Sequence, residues 1–219
     1  MMDQENKILI ITGGHIDDIF LKTRVEEEQY SMIIAADNGL TAADRLNIVL
    51  DYIVGDFDSV DKKVLARYRE KSIPIETFPT EKDKTDTQIA LELALTQHPT
   101  LIDILGATGS RFDHVLANIQ LLMLPMQQGI TACIMDANNK IYLKKECFTI
   151  KKNMQYGNYV SLLPFTEKVF GLTLKGFKYP LNNVILTSGV SLGISNEIKE
   201  EEVLVEISEG ILLVIEAKD

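Results

Sequence analysis

Several short stretches of this chain carry residues better suited to chemistry than to a core. Gly55-Asp56-Phe57-Asp58-Ser59 sets two carboxylates one residue apart, and Asp83-Lys84-Thr85-Asp86-Thr87 adds more acid in a densely charged run. Each lies in a polar loop between an apolar, strand-like run and a helix-like run. Carboxylates gathered at strand ends are poor folding material and good ligands for Mg²⁺. That ion takes one or two carboxylates, keeps several waters and completes its shell with substrate phosphates. A third stretch, Gly106-Ala107-Thr108-Gly109-Ser110-Arg111-Phe112-Asp113, is a glycine loop that opens a helix. Backbone N–H groups at such a helix start bind anions, and an arginine fork grips phosphate oxygens in pairs. It is not a P-loop, because the G-K-[ST] ending is missing. Together these stretches predict a metal–polyphosphate substrate.

Plainer readings stand beside these. Asp56 and Asp58 fit a turn before a helix near Asp61, with Ser59 or Asp58 as its cap. Thr85 with Gln88 resembles a capping box, and an acid such as Asp86 is favoured in a first helical turn. Phe57 reads as a packing anchor. His114 reads as an orienting or partly buried histidine. Further on, Gly193-Ile194-Ser195-Asn196-Glu197 offers donors and acceptors for a heterocycle, or is a hairpin turn. Tyr179, before Pro180, either stacks on a ring or packs.

The elements that must position these residues are legible as a change of period. Apolar runs at Lys7–Thr12, Ser31–Ala36, Tyr52–Val54, Ile73–Phe78, Leu101–Leu105 and Ile130–Met135 alternate with helical patterns over Asp61–Glu70, Thr85–Gln97 and Phe112–Gln128. Alternation of this kind predicts an α/β domain with a mostly parallel, Rossmann-like sheet covered on both faces. Ligands of such sheets bind outside the carboxyl ends of the strands. Asp37, Asp56, Asp58, Asp86 and the Gly106–Asp113 loop all fall on that edge. Past Asn138 the runs become short and turn-rich, which predicts an all-β sandwich or barrel. The boundary gives domains 1–137 and 138–219.

Bulk properties narrow the partners. The 219-residue chain is 46% hydrophobic, enough for a core, and carries a formal net charge of −10. Such a surface repels nucleic acid, and an anionic nucleotide then needs a metal or a local cluster of donors. No apolar run approaches membrane-spanning length, so no membrane partner is expected. The first residues do not read as a signal peptide. Cys133 and Cys147 read as free buried thiols, and a reducing cytoplasm is the expected compartment. The three histidines have no zinc-like spacing.

Taken together, Ala36-Asp37-Asn38-Gly39, Gly55–Ser59, Asp83–Asp86, Gly106–His114 and Gly193–Glu197 resemble the thiamine pyrophosphokinase family in order and spacing, over nearly the whole chain. The resemblance implies an N-terminal α/β catalytic domain that binds ATP and Mg²⁺, and a C-terminal β domain that binds thiamine and dimerises. It implies a homodimer with active sites between subunits. The pyrophosphoryl group of ATP passes to the thiamine hydroxyl, giving thiamine diphosphate and AMP. By position, Asp56, Asp58 and Asp86 hold the metal, and Asp58, Asp86 and Asp113 are the catalytic acids. Asp37, Asn38, Gly39, Lys82, Thr108, Gly109 and Arg111 contact ATP; Tyr179, Ser195 and Asn196 contact thiamine. Asn38 stands where a glycine is common, Lys82 where some relatives carry Gln, and Ser110 where Gly is common. The competing readings are a Mg²⁺-dependent transferase with another acceptor, and a non-catalytic nucleotide- or thiamine-binding module.

Overall fold

The computed structural model describes residues 6–79 and 83–219. They divide into two compact units, Met1–Ala137 and Asn138–Asp219.

In the first unit the elements run β1 (Lys7–Ile11), α1 (Asp18–Glu27), β2 (Met32–Ala36), α2 (Gly39–Arg45), β3 (Tyr52–Gly55), α3 (Lys62–Arg69), β4 (Ile75–Thr77), α4 (Asp86–Thr96), β5 (Leu101–Leu105), α5 (Phe112–Leu121), α6 (Met123–Gln127) and β6 (Thr131–Met135). The strands lie in the order β4-β3-β2-β1-β5-β6, every pair parallel. The order reverses beside β1, whose neighbours are β2 and β5. The chain leaves β1 and β5 toward opposite sides of the sheet, the topology that places a crevice at the carboxyl edge. Ile8, Leu9, Ile10 and Ile11 are fully buried, as expected of a central parallel strand covered on both faces.

Three features differ from the sequence expectations. The helix expected over Phe112–Gln128 is two helices that meet at Leu122. Pro125 has no N–H to donate, and its ring crowds the carbonyl four residues back, so the continuous helix ends there. Helices α1 and α2 were not anticipated. In α1 the buried position is Leu21 while Ile19 is exposed, so no apolar stripe marks it. Asp17 caps it instead, accepting the Phe20 N–H at 2.8 Å.

The second unit contains β7 (Asn139–Lys144), β8 (Phe148–Lys151), β9 (Tyr159–Pro164), β10 (Lys168–Lys175), β11 (Leu181–Thr187), β12 (Glu202–Glu206) and β13 (Leu212–Ala217). β13 pairs antiparallel with both β7 and β9, and a second antiparallel sheet runs β11-β10-β12-β8. Buried and half-buried residues alternate along β12 and β13, the two-residue period of a strand with one covered face. Leu181-Asn182-Asn183 opens β11, where Asn183 takes φ +51° and the β10–β11 register shifts. The bulge, not a chain reversal, is what the Asn pair serves. No helix among the described residues is long and apolar enough to cross a membrane. Both cysteines are free; Cys133 is buried, but Cys147 is exposed.

One polar cluster ties α1 to the sheet. Asp103 is 1% exposed in mid-β5 and accepts from Arg24 Nη2 and Tyr30 Oη, both at 2.6 Å. Burial, then the Asp103 charge, pushes the Tyr30 hydroxyl well above its ordinary value near 10. Folded Tyr30 therefore keeps a proton that the unfolded chain releases near pH 10. Its contribution is complete below that pH and is lost as pH rises past it. Tyr30→Phe should lower neutral stability by about 1 kcal/mol. It should also flatten the fall in stability between pH 9 and 11 relative to wild type, as read by urea unfolding at stepped pH (a range set by the ordinary tyrosine pKa of about 10).

Candidate active site

Two strand-end loops of the first unit bring carboxylates together. Asp37 leaves β2 with φ +46°, and its N–H donates to the Val54 carbonyl at 2.8 Å. Phe57 takes φ +61° and is 6% exposed. A left-handed backbone is costly for a bulky residue and is held here by burial of the ring. The tight curl leaves Asp56 and Asp58 on either side of it. Oxygens of Asp37, Asp56 and Asp58 lie within 4.8 Å of one another.

This trio differs from the expected metal set of Asp56, Asp58 and Asp86. Asp37 was read as a nucleotide-loop residue, yet it joins the pair; Asp86 is outside the trio. Asp86 is near enough, though, for its charge to act on Asp37. Burial chiefly raises the Asp37 pKa, the charges of Asp86 and Asp56 add to the rise, and hydrogen bonds from Ser59 and the Asn38 N–H oppose it. Ser59 Oγ donates to Asp37 Oδ2 at 2.8 Å, whereas Oδ1 is buried with no hydrogen-bond partner among the described residues. A buried carboxylate oxygen without a donor fits a cation, and the all-oxygen set fits a hard one such as Mg²⁺.

The capping alternative separates cleanly from this arrangement. Asp61, not Ser59 or Asp58, caps α3, accepting the Lys63 N–H at 2.7 Å. Thr85 caps α4 by accepting the Gln88 N–H at 3.2 Å, so Asp86 occupies the first turn without being the cap.

Beside the trio is a cleft of about 860 Å³, lined by Gly13, Gly14, His15, Asp37, Asp86 and the Gly106–Arg111 loop among others. It lies at the reversal between β1 and β5. Two loops build its floor. The Gly14 N–H donates to the Gly106 carbonyl and the His15 N–H to the Thr108 carbonyl, both at 2.7 Å. A Cβ on Gly14 would stand 2.3 Å from both of those oxygens, so only glycine allows the approach. Below, Thr12 and Thr87 share a buried hydroxyl–hydroxyl bond of 2.8 Å, and Asn118 of α5 donates to the Ala107 carbonyl at 2.8 Å. The Gly13-Gly14-His15 loop was read only as a strand end. Its place after β1, next to the reversal, is the signal that marks it.

The remaining expected residues divide. Thr108, Gly109 and Arg111 line the cleft. Arg111 precedes α5 and gives it no side-chain cap, and a helix start of that kind suits an anion. The Arg111 fork meets Asp113 at 3.2 and 2.5 Å and holds that carboxyl down to about 2. Gly39 is buried; a Cβ there would stand 2.0 Å from the Ile11 carbonyl oxygen, so close packing of α2 on β1 requires it. Asn38 Oδ1 accepts from Thr41 Oγ1 at 2.8 Å. Lys82 lies outside the described residues.

Tyr179, Ser195 and Asn196 gather in the second unit. Ser195 takes φ +53°, and its N–H donates to Ser161 Oγ at 3.0 Å. Asn196 pairs by backbone with Val160 and by side chain with Tyr179, whose ring is 57% exposed.

Residues 24–134 match the family described as "Thiamin pyrophosphokinase, catalytic domain", and residues 147–212 the one described as "Thiamin pyrophosphokinase, vitamin B1 binding domain". The thiamine pyrophosphokinase of Bacillus subtilis is 35% identical over 213 residues, covering 97% of this chain and 99% of that one. Its crystal structure superposes with a TM-score of 0.87 at 34% identity, over 98% of this chain and all of the other. The Geobacillus thermodenitrificans enzyme gives 0.82 at 30% identity, over 97% and 98%. With both family matches in chain order and whole-length similarity of sequence and structure, this chain belongs to the thiamine pyrophosphokinase family.

Proposed function

We propose that the trio Asp37, Asp56 and Asp58, with Asp86 facing it, binds Mg²⁺ and through it the polyphosphate of ATP. As a member of its family the chain is an ATP-dependent enzyme that forms thiamine diphosphate. The observation that carries the metal assignment is Asp37 Oδ1, a buried acceptor with no hydrogen-bond partner among the described residues, in a cluster of like charge. Bound there, Mg²⁺ would neutralise charge on the β- and γ-phosphoryl oxygens. Thr108, Gly109 and the open start of α5 bind phosphate oxygens through N–H groups, and Arg111 adds its fork.

In the reaction the thiamine hydroxyl oxygen bonds to the β-phosphorus of ATP, and the bridge from that phosphorus to the α-phosphate oxygen breaks. AMP leaves, and the hydroxyl proton passes to a carboxylate. Positioning and charge neutralisation supply most of the acceleration in such transfers. The candidate bases are Asp58, Asp86 and Asp113; Arg111 holds Asp113 down at about 2, which makes that carboxylate a poor proton acceptor while the pair stands. On the second unit, Tyr179 offers its ring face and Ser195 its hydroxyl to thiamine. The site is completed by a second copy of the chain in a homodimer. The exposed Ile185, Val190, Leu192 and Ile194 of that unit are apolar surface of the kind a second copy covers. The compartment is the cytoplasm.

With ATP and Mg²⁺, AMP release should depend on thiamine; chromatography that resolves AMP from ADP decides it. ADP as product, or turnover indifferent to thiamine, would defeat the assignment. Asp58→Asn should lower kcat by about 100-fold or more, the scale of a lost transition-state charge contact. Independently of turnover, Mg²⁺ should raise the melting temperature of wild type and not that of Asp37→Asn, by calorimetry. Arg111→Gln should lower kcat/KM for ATP by about 10- to 100-fold. It should also return Asp113 from about 2 toward an ordinary carboxylate value, as followed by carboxyl ¹³C NMR titration.

A further inference from the structure

Asn196 is 5% exposed, and its amide oxygen and one of its two amide N–H groups are engaged by backbone partners. Its Oδ1 accepts the Tyr179 N–H at 3.0 Å and the Glu197 N–H at 2.9 Å; its Nδ2 donates to the Tyr179 carbonyl at 2.8 Å. Two N–H donors facing one atom and a carbonyl facing the other fix which end of the amide is oxygen. Both lone pairs of Oδ1 are used. The side chain thus pairs with Tyr179 as a neighbouring strand would, through its N–H and its C=O.

The backbone of Asn196 is held on the opposite side. It exchanges hydrogen bonds with Val160 of β9 at 2.7 and 3.0 Å. The next turn of the segment repeats the arrangement, because the Lys178 N–H donates to the Glu197 carbonyl at 2.9 Å and Phe177 bridges Ile198. Asn196 therefore cross-links β9 to the Tyr179 peptide. That peptide carries an exposed ring, and Pro180 follows it, so no further N–H can anchor the chain there. Ser195 has the reverse allocation: its N–H is fixed on Ser161, and its exposed hydroxyl makes no hydrogen bond among the described residues.

We infer that Asn196 is a positioning residue for thiamine binding: it acts through the Tyr179 peptide, setting the ring against the pyrimidine, while Ser195 makes the direct polar contact. This rests on the proposed reading of Tyr179 as the ring platform. The consequence differs from that of direct contact. A residue that touches the pyrimidine discriminates between ring substituents; one that aims the tyrosine ring affects all pyrimidines alike, and only while the ring is present.

Asn196→Asp is the informative change. It keeps acceptors for the two N–H groups but sets an oxygen against the Tyr179 carbonyl in place of the donor. It should raise the thiamine KM roughly tenfold, more than it lowers kcat. The inhibition constant of oxythiamine, the 4′-oxo analogue, should rise by the same factor. In a Tyr179→Ala background, which keeps the peptide and removes the ring, the same substitution should change the thiamine KM by less than about twofold, the sign of coupled residues. If the two effects multiply, or if Asn196→Asp shifts the ratio of thiamine to oxythiamine affinity, Asn196 contacts ligand and the inference fails while the function stands. If Tyr179→Ala leaves the thiamine KM unchanged, the ring platform itself is wrong and the inference falls with it. Thiamine-dependent AMP release by wild type then still reports separately on the function. Should Asn196→Asp lack a cooperative melt, Asn196→Ser, which retains a short acceptor, gives the same comparisons.

Discussion

Like charge concentrated at one edge of a parallel sheet is the constraint around which the first unit is arranged. Asp37, Asp56 and Asp58 repel one another, and Asp37 does so half-buried, with one oxygen lacking a donor among the described residues. Nothing in the fold requires this; the same positions filled by serine or asparagine would cap and turn at lower cost. The arrangement persists because the surrounding structure over-determines it. Ser59 and the Asn38 N–H each stabilise the ionised Asp37, and burial of Phe57 holds a left-handed backbone that the residue would not choose alone. The local preferences lost at these positions mark where the sequence serves a ligand before it serves the fold.

The glycines answer the same constraint from the other side. Gly14 and Gly106 let the loops after β1 and β5 lie against each other, so that N–H and C=O groups of two loops pair across the reversal of strand order. With those groups satisfied by one another, the α5 N-terminus is left open and aimed at the cleft. Gly39 draws α2 onto β1, which fixes the start of the helix directly after Asp37. Rigidity in the loops is thus what permits charge to be held close without collapse of the site.

Much of this is legible in the sequence, and the gaps have physical reasons. Five of the six apolar runs of the first half mark strands that are largely buried and so carry no polar face to disguise them; the edge strand β4 leaves Glu76 and Thr77 exposed. Helix α4 is marked by capping and by helical spacing, and α5 by spacing alone, though Pro125 ends the run sooner than the apolar pattern implies. Helix α1 is silent because it buries little beyond Leu21 and draws its anchorage from Arg24 on Asp103, a long-range ion pair with no local signature. For the site, Asp56 and Asp58 are legible as a motif. The membership of Asp37 is not, since it depends on β2 lying beside β3 and on Gly55, whose φ of +154° lets Asp37 pass within 3.1 Å of where a Cβ would be. In the second unit, Ser195-Asn196 reads as a pair of equivalent polar residues. Only the hydrogen-bond geometry distinguishes the buried amide from the exposed hydroxyl.

An acidic protein that takes a polyanion must solve attraction locally, and the Arg111–Asp113 pair indicates how. Both groups are exposed, and an exposed ion pair is worth little in water. On the proposed reading a phosphate competing for the Arg111 fork offers the same paired geometry with more charge, and beside the open helix start it meets further donors. Exchange then costs the protein almost nothing, and it releases the Asp113 carboxylate at the moment substrate arrives. On that same reading the acid keeps the cation in place until phosphate takes it, and the net charge of −10 elsewhere favours a cationic acceptor.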